Sequence, residues 1–64
     1  MANDQNQQPG QVYFEFTTVG RSVRIAAIDA GTGIEVAVVG PAGAARADLE
    51  RLALQKLRAK LKAS

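Results

Sequence analysis

Residues 12–39 read VYFEFTTVGRSVRIAAIDAGTGIEVAVV, and this stretch decides the fold. Its apolar and β-branched residues come in short runs with a period of two, a pattern typical of β-strands. The runs predict strands over Gln11–Val19, Ser22–Asp29 and Ile34–Val39. Glycine-containing segments separate the runs, so we expect the three strands to form an antiparallel meander.

The pair Gly20-Arg21 predicts the first turn, because glycine at the first central position suits a two-residue hairpin. This turn places Phe16 opposite Ile25. A second turn over residues 30–33 puts the alternate apolar residues of the third strand on the same face as those of the first two strands. A slip of one residue would mix apolar and polar side chains on each face. The register therefore predicts one buried face, whose large apolar residues are Phe14, Phe16, Val23, Ile25, Val36 and Val38.

Residues 46–62 read RADLERLALQKLRAKLK, in which leucines recur at helical spacing. They predict a helix over Arg46–Lys62 whose apolar residues sweep an arc of roughly 200°. One sheet face does not cover an arc that wide, so we expect part of it to face the sheet and part to face a partner. The residues expected on the sheet are Leu49, Leu52, Ala53 and Leu57, and those expected to face the partner are Leu54 and Leu61.

Together these elements predict an α+β fold, a three-stranded antiparallel meander followed by one C-terminal helix packed on the sheet. Residues 11–64 form a single β-β-β-α domain in this interpretation. Residues 1–10, MANDQNQQPG, are polar and end in Pro-Gly, so we expect a flexible N-terminal tail there.

The sheet face turned away from the helix is also expected to be largely apolar, which is unusual for a surface in water. A chain of 64 residues without cysteine has no disulfide or thiolate metal site to stabilise it. Self-association would bury the surplus apolar surface, so we predict a homodimer. The residues predicted to form its interface are Tyr13, Val19, Ile28, Ala37, Val39, Leu54 and Leu61.

No motif in the chain announces a reaction, and histidine and cysteine, common catalytic and metal-binding residues, are both absent. Glu15 and Glu35 are expected about 10 Å apart on one sheet face, with Arg24 between them, which we interpret as surface charges. The segment Gly40–Gly43 before the helix lacks the spacing of a phosphate-binding loop. The sequence therefore predicts no enzyme, no catalytic residue, no cofactor and no metal site.

The net charge is +2, but its distribution is uneven. Residues 1–40 hold two basic and four acidic residues, a net −2, whereas residues 41–64 hold six basic and two acidic residues, a net +4. Acidic residues early and basic residues late in a helix complement its dipole, which accounts for much of the asymmetry. The alternative is anion contact through the basic end of the helix, at Lys56, Arg58, Lys60 and Lys62.

The order strand-strand-strand-helix is similar to the second half of a double-stranded-RNA-binding domain. In that family a lysine pair at the start of the last helix grips phosphates, whereas the matching stretch here, residues 44–47, reads AARA. A nucleic-acid-binding accessory protein is therefore the alternative function, behind a structural or interaction module without catalysis. We expect a cytoplasmic location without membrane contact, because no run reaches the roughly 20 apolar residues of a membrane span. The expected partners are a second copy and an unidentified protein.

Motifs spread along the chain also resemble those of one family. The motifs are Val12–Phe16, Ile28–Ala30, Gly33–Val36, Val39–Pro41 and Ala47–Ala53. As a set they are similar to those of a family of short uncharacterised alphaproteobacterial proteins. The resemblance implies a β-β-β-α fold and a homodimer, with or without an exchanged element, and it implies no activity.

Overall fold

The computed structural model describes residues 11–63, which form three strands and one helix. The elements are β1 (Val12–Val19), β2 (Ser22–Asp29), β3 (Glu35–Pro41) and α1 (Arg46–Ala63). The strands lie in the order β1-β2-β3, and both neighbouring pairs are antiparallel. The predicted α+β meander with a C-terminal helix on the sheet is confirmed. The tail predicted over residues 1–10 lies outside the described residues.

The β1–β2 hairpin has the predicted register, with Phe16 opposite Ile25. Gly20 has a φ of 60°, and Arg21 has no positive φ, which is the pattern of a type II′ turn. A residue with a Cβ would be strained at that glycine. The turn therefore fixes the register and sends the alternate apolar residues of both strands to the same face.

A hydrogen-bonded loop moves the start of β3 from the predicted Ile34 to Glu35. The carboxylate of the buried Asp29 accepts hydrogen bonds from the backbone N–H and from the hydroxyl of Thr32, each at 2.8 Å. The Thr32 hydroxyl oxygen in turn accepts one from the Ile34 N–H at 3.1 Å. Gly33, with a φ of 79°, donates its N–H to the Asp29 carbonyl at 2.7 Å. These local bonds hold Ile34 in the loop.

β3 ends at Pro41, two residues beyond the predicted Val39, so Gly40 belongs to the strand and not to a loop. Gly40 lies opposite Val23 in the ladder, on the face that α1 covers. A Cβ at this position would lie 2.8 Å from Cδ2 of Leu49. Glycine is therefore needed here because the helix approaches the strand closely.

α1 packs on β2 and β3 rather than across all three strands. A helix about 10 Å wide covers roughly two strands that are spaced about 4.8 Å apart. β1 is therefore covered only in part: Val12 and Phe14 are half-buried against the core cluster, whereas Phe16 is exposed. The buried cluster consists of Val23, Ile25, Ala27, Val36, Leu49, Ala53 and Leu57. The core of the domain therefore lies between α1 and the β2–β3 half of the sheet.

Two residues that the sequence predicted to be buried are exposed, and the position of α1 explains both. Phe16 on β1 is 40% exposed because the helix does not extend over that strand, and Leu52 on α1 is 51% exposed. α1 turns the row Leu49, Ala53 and Leu57 towards the sheet, and Leu52 lies outside this row. Both side chains add to the apolar surface of a single copy.

Candidate interaction surfaces

The sheet face opposite α1, here termed the open face, carries five of the seven residues predicted for a dimer interface. They are Tyr13, Val19, Ile28, Ala37 and Val39. Val19 is 58% and Val39 is 66% exposed, whereas the other three are half-buried. The exposed apolar surface of the open face is thus concentrated at the end of the sheet next to the β1–β2 turn.

The other two predicted interface residues, Leu54 and Leu61, lie on α1 and so on the opposite side of the sheet. Leu61 packs against the buried cluster, and Leu54 is half-buried. At 100° per residue both lie on the side of α1 away from Lys56, which contacts β3, and therefore on the side towards β1. The seven residues form two surfaces separated by the sheet and not one continuous interface.

Phe16 lies near the middle of β1, on the sheet face that carries α1, and its side chain is exposed. The guanidinium carbon of Arg46 lies 4.6 Å from the centroid of its ring, which is a cation–π contact. Nε of Arg46 also donates to Oε2 of Glu50 at 3.2 Å, so the arginine links the helix start to the edge strand. Sequence reasoning missed this contact, because the two partners meet only once α1 is folded back over the sheet.

The charged residues of the open face do not pair with each other. Glu15 and Glu35 are exposed on the two outer strands, and Arg24 is exposed on β2. The ion pairs among residues 11–63 are Arg46–Glu50 and Arg51–Asp48, both on α1. The predicted position of Arg24 between two carboxylates therefore produces no ion pair within one copy.

The four basic residues predicted for anion contact do not share one face of α1. Nζ of Lys56 donates to the carbonyl oxygen of Ala37 at 3.0 Å, on the outer edge of β3, and Lys60 follows one turn later on the same side. Arg58 and Lys62 lie on the opposite, solvent side of the helix by the same spacing. All four are exposed, but they point in two directions, which disperses the positive charge.

Two backbone donors in the loop between β3 and α1 form hydrogen bonds within the fold. The N–H of Ala42 donates to the carbonyl of Arg21, and the N–H of Ala44 donates to the carbonyl of Pro41, each at 2.9 Å. These two groups therefore do not point outwards to an anion.

The part of the chain that the structure describes encloses no cavity. It contains no group of three or more acidic side chains placed to hold a metal ion. No helix within residues 11–63 combines the length and the hydropathy of a membrane span.

Comparison with known proteins identifies a family. A family model described as a domain of unknown function (DUF6898) matches residues 9–64, which is most of the chain. No curated protein and no solved structure matches the chain.

Proposed function

We propose that this chain, which belongs to the family Domain of unknown function (DUF6898), is a homodimeric interaction module that performs no catalysis. The observation that carries the proposal is the apolar surface that one copy leaves exposed, at Val19 and Val39 on the open face and at Phe16 and Leu52 on the helix side. Full burial of a large apolar side chain contributes about 1.5–3 kcal/mol, and these four are 40–66% exposed, so covering each contributes about half of that. A small domain has a total stability of about 5 kcal/mol. A second copy that covers even two of these side chains would therefore stabilise the fold substantially.

Two routes lead to such a dimer. Two closed copies can associate through their exposed surfaces, or they can exchange α1 through the short loop over residues 42–45 that joins β3 to α1. Exchange would keep the close packing of Leu49 on Gly40, with the two residues on different copies. The proposed setting, the cytoplasm of an alphaproteobacterium, is supported by the composition and by the motif resemblance described above. The surface left over would be available to an unidentified protein partner.

Thermal unfolding at a series of protein concentrations tests the proposal. When a folded dimer unfolds to separate chains, mass action makes the melting temperature rise with protein concentration. We expect a clear rise over about a hundredfold range of concentration. A melting temperature that stays constant over this range would contradict a homodimer.

A nucleic-acid-binding accessory protein is the alternative, but the geometry does not favour it. Of the four basic residues predicted for anion contact, two lie on each side of α1, so few of them could contact one phosphate backbone together. The test is a titration of labelled duplex RNA and DNA at two salt concentrations. Salt-sensitive binding that disappears when Lys56, Arg58 and Lys60 are changed to glutamate would favour the alternative over the interaction module.

A further inference from the structure

The two edges of the sheet differ in how well they are protected. The outer edge of β3 has Lys56 bound to the carbonyl oxygen of Ala37, and Pro41 at its end has no N–H to offer. Lysine and proline are the usual means of preventing a sheet edge from pairing with another chain. β1, which reads VYFEFTTV, contains neither residue. Its edge is therefore the one suited to pairing.

The backbone groups that β1 presents at this edge can be identified. The carbonyl of Gln11 accepts a hydrogen bond from the N–H of Ala30 on the β2 side, at 2.9 Å. Because backbone groups alternate between the two sides of an antiparallel strand, odd-numbered residues of β1 bond to β2 and even-numbered residues point outwards. The outward residues include Phe14, Phe16 and Thr18. The backbone N–H and C=O groups of these residues form no hydrogen bond within residues 11–63.

We propose that β1 pairs antiparallel with β1 of a second copy, with Phe16 on the twofold axis, so that two copies form one six-stranded sheet. This inference rests on the proposed homodimer and specifies its interface. Both helices then lie on the same face of the joined sheet, on either side of the paired β1 strands. The two Phe16 side chains stand directly opposite each other, so each covers the exposed ring of the other. Val39 on β3 and Leu52 on α1 lie away from this interface and stay exposed.

The register follows from the sequence of the strand. Residues that stand opposite each other across an antiparallel pair lie on the same face, so a symmetric pair must be centred on a residue and not between two residues. The midpoint of β1 lies between Glu15 and Phe16. A pair centred on either of these two residues therefore includes most of the strand. Centring on Glu15 places two carboxylates directly opposite each other, which is destabilising. Centring on Phe16 places each Glu15 opposite Thr17 of the other copy.

Charge complementarity supports the same register. Thr17 lies opposite Arg24 within one copy. The proposed pairing therefore aligns Arg24, Thr17 and Glu15 of the second copy in one row across the open face. At a strand spacing of about 4.8 Å the arginine and the glutamate are about 10 Å apart at their Cα atoms, a span that their long side chains can bridge over the threonine. The pair occurs twice in the dimer and gives Arg24 the partner that it lacks within one copy.

The apolar residues of the open face also match. With Phe16 on the axis, Tyr13 of one copy stands opposite Val19 of the other, again twice. An aromatic residue paired with a β-branched residue is a favourable cross-strand pair. The exposed Val19 is thus covered. Tyr13 and Val19, both predicted from the sequence to lie at a dimer interface, meet across the β1–β1 interface.

Single-cysteine variants test the register directly, because the natural chain has no cysteine. In the proposed dimer the two Cα atoms at position 16 are about 5.5 Å apart, within the range of a disulfide, whereas those at position 18 are more than about 13 Å apart. Under mild oxidation Phe16→Cys should therefore form a covalent dimer, and the matched control Thr18→Cys, exposed on the same strand and face, should not. Circular dichroism checks that both variants fold.

A third variant, Val39→Cys, separates failure of this inference from failure of the proposed homodimer. Its two Cα atoms are about 24 Å apart across a six-stranded sheet, so cross-linking there would place the interface on the open face and overturn the β1 pairing. A chain that is dimeric by light scattering but does not cross-link through Phe16→Cys would also overturn the pairing alone. A chain that is monomeric by light scattering would overturn both proposals.

Charge reversal gives an independent test of the same register. Glu15→Arg and Arg24→Glu should each weaken dimerisation, by about tenfold if both copies of the pair contribute. The double variant Glu15→Arg/Arg24→Glu should recover most of the affinity, because it restores opposite charges in each row. Equal or additive weakening in the double variant would show that the two residues do not meet and would contradict the register.

Discussion

At the scale of single residues, Gly40 shows how tightly the helix is fitted to the sheet. Its position against Leu49 leaves no room for a Cβ, and Leu49 is itself buried. The leucine can move away only by disturbing the packing of its neighbours in the cluster. This one contact sets how closely α1 can approach β3.

Gly40→Ala should lower the free energy of unfolding by about 1–2 kcal/mol, the usual cost of inserting a methyl group into a packed core. The matched control is Gly43→Ala, where a Cβ would meet nothing within 4 Å. We expect the control to be neutral or to gain up to about 1 kcal/mol through reduced entropy of the unfolded chain. Urea denaturation at one protein concentration measures both. Equal effects of the two changes would contradict the packing role of Gly40.

The residues that the sequence predicted well are those that act through local geometry. Gly20 could be assigned to the first central position of a hairpin turn because the residues next to it along the chain are enough to indicate the turn. The sequence alone places Gly40 in a loop, since only its tertiary neighbour Leu49 reveals why a glycine is required. Phe16 was expected to be buried for a similar reason, because its strand has the right period but lies beyond the reach of the helix.

At the scale of elements, α1 begins without a side-chain cap. Ala45 precedes the first helical residue, and its carbonyl accepts hydrogen bonds from the N–H groups of Asp48 and Leu49, at 3.1 and 3.2 Å. An alanine side chain has no oxygen to accept a bond from the free N–H groups of the first turn. The start of the helix is therefore weaker than the rest.

Ala45→Ser should raise the free energy of unfolding by about 0.5–2 kcal/mol, because serine supplies the missing acceptor. Ala47→Ser, at an exposed position inside the first turn, is the control and should be neutral or slightly destabilising. Thermal and urea unfolding of the two variants at matched concentration make the comparison. A loss of stability in Ala45→Ser would show that this residue does not have the backbone geometry of a cap.

The two faces of α1 also predict different costs for leucine substitutions. Leu61→Gln should destabilise the fold by about 1–2 kcal/mol, since Leu61 packs against the buried cluster. Leu52→Gln should cost less than about 0.5 kcal/mol in a single copy, since Leu52 is largely exposed. Denaturant titrations at low protein concentration, where dissociated chains dominate, would measure both. The reverse order would contradict the observed orientation of α1.

The element boundaries that local sequence determines were predicted correctly, whereas those that depend on other contacts were not. β2 and the start of α1 were predicted to the residue, because periodicity and turn residues mark them. The limits of β3 were wrong by one residue at its start, where the bonds between Asp29 and Thr32 extend the loop. They were wrong by two at its end, where Gly40 continues the ladder. The lateral position of α1 over β2 and β3 could not be predicted, since helical periodicity gives the buried face but not the strands beneath it.

At the scale of the whole molecule, one copy does leave large apolar side chains exposed, but only Val19 and Val39 of the seven residues predicted for an interface are among them. One helix is too narrow for three strands, so Phe16 on the helix side of β1 is left exposed together with parts of the open face. The sequence could predict an apolar surplus from its pattern. It could not show that the predicted interface residues divide between two sides of the sheet, because this depends on where α1 lies.

The most direct test of the account is the molar mass of the unmodified chain in solution, measured by light scattering over a range of concentrations up to tens of micromolar. A homodimer should give about twice the chain mass of 6.7 kDa at the upper end of the range, with dissociation on dilution if the dimer is weak. A mass of one chain throughout that range would contradict the homodimer on which the proposed function rests.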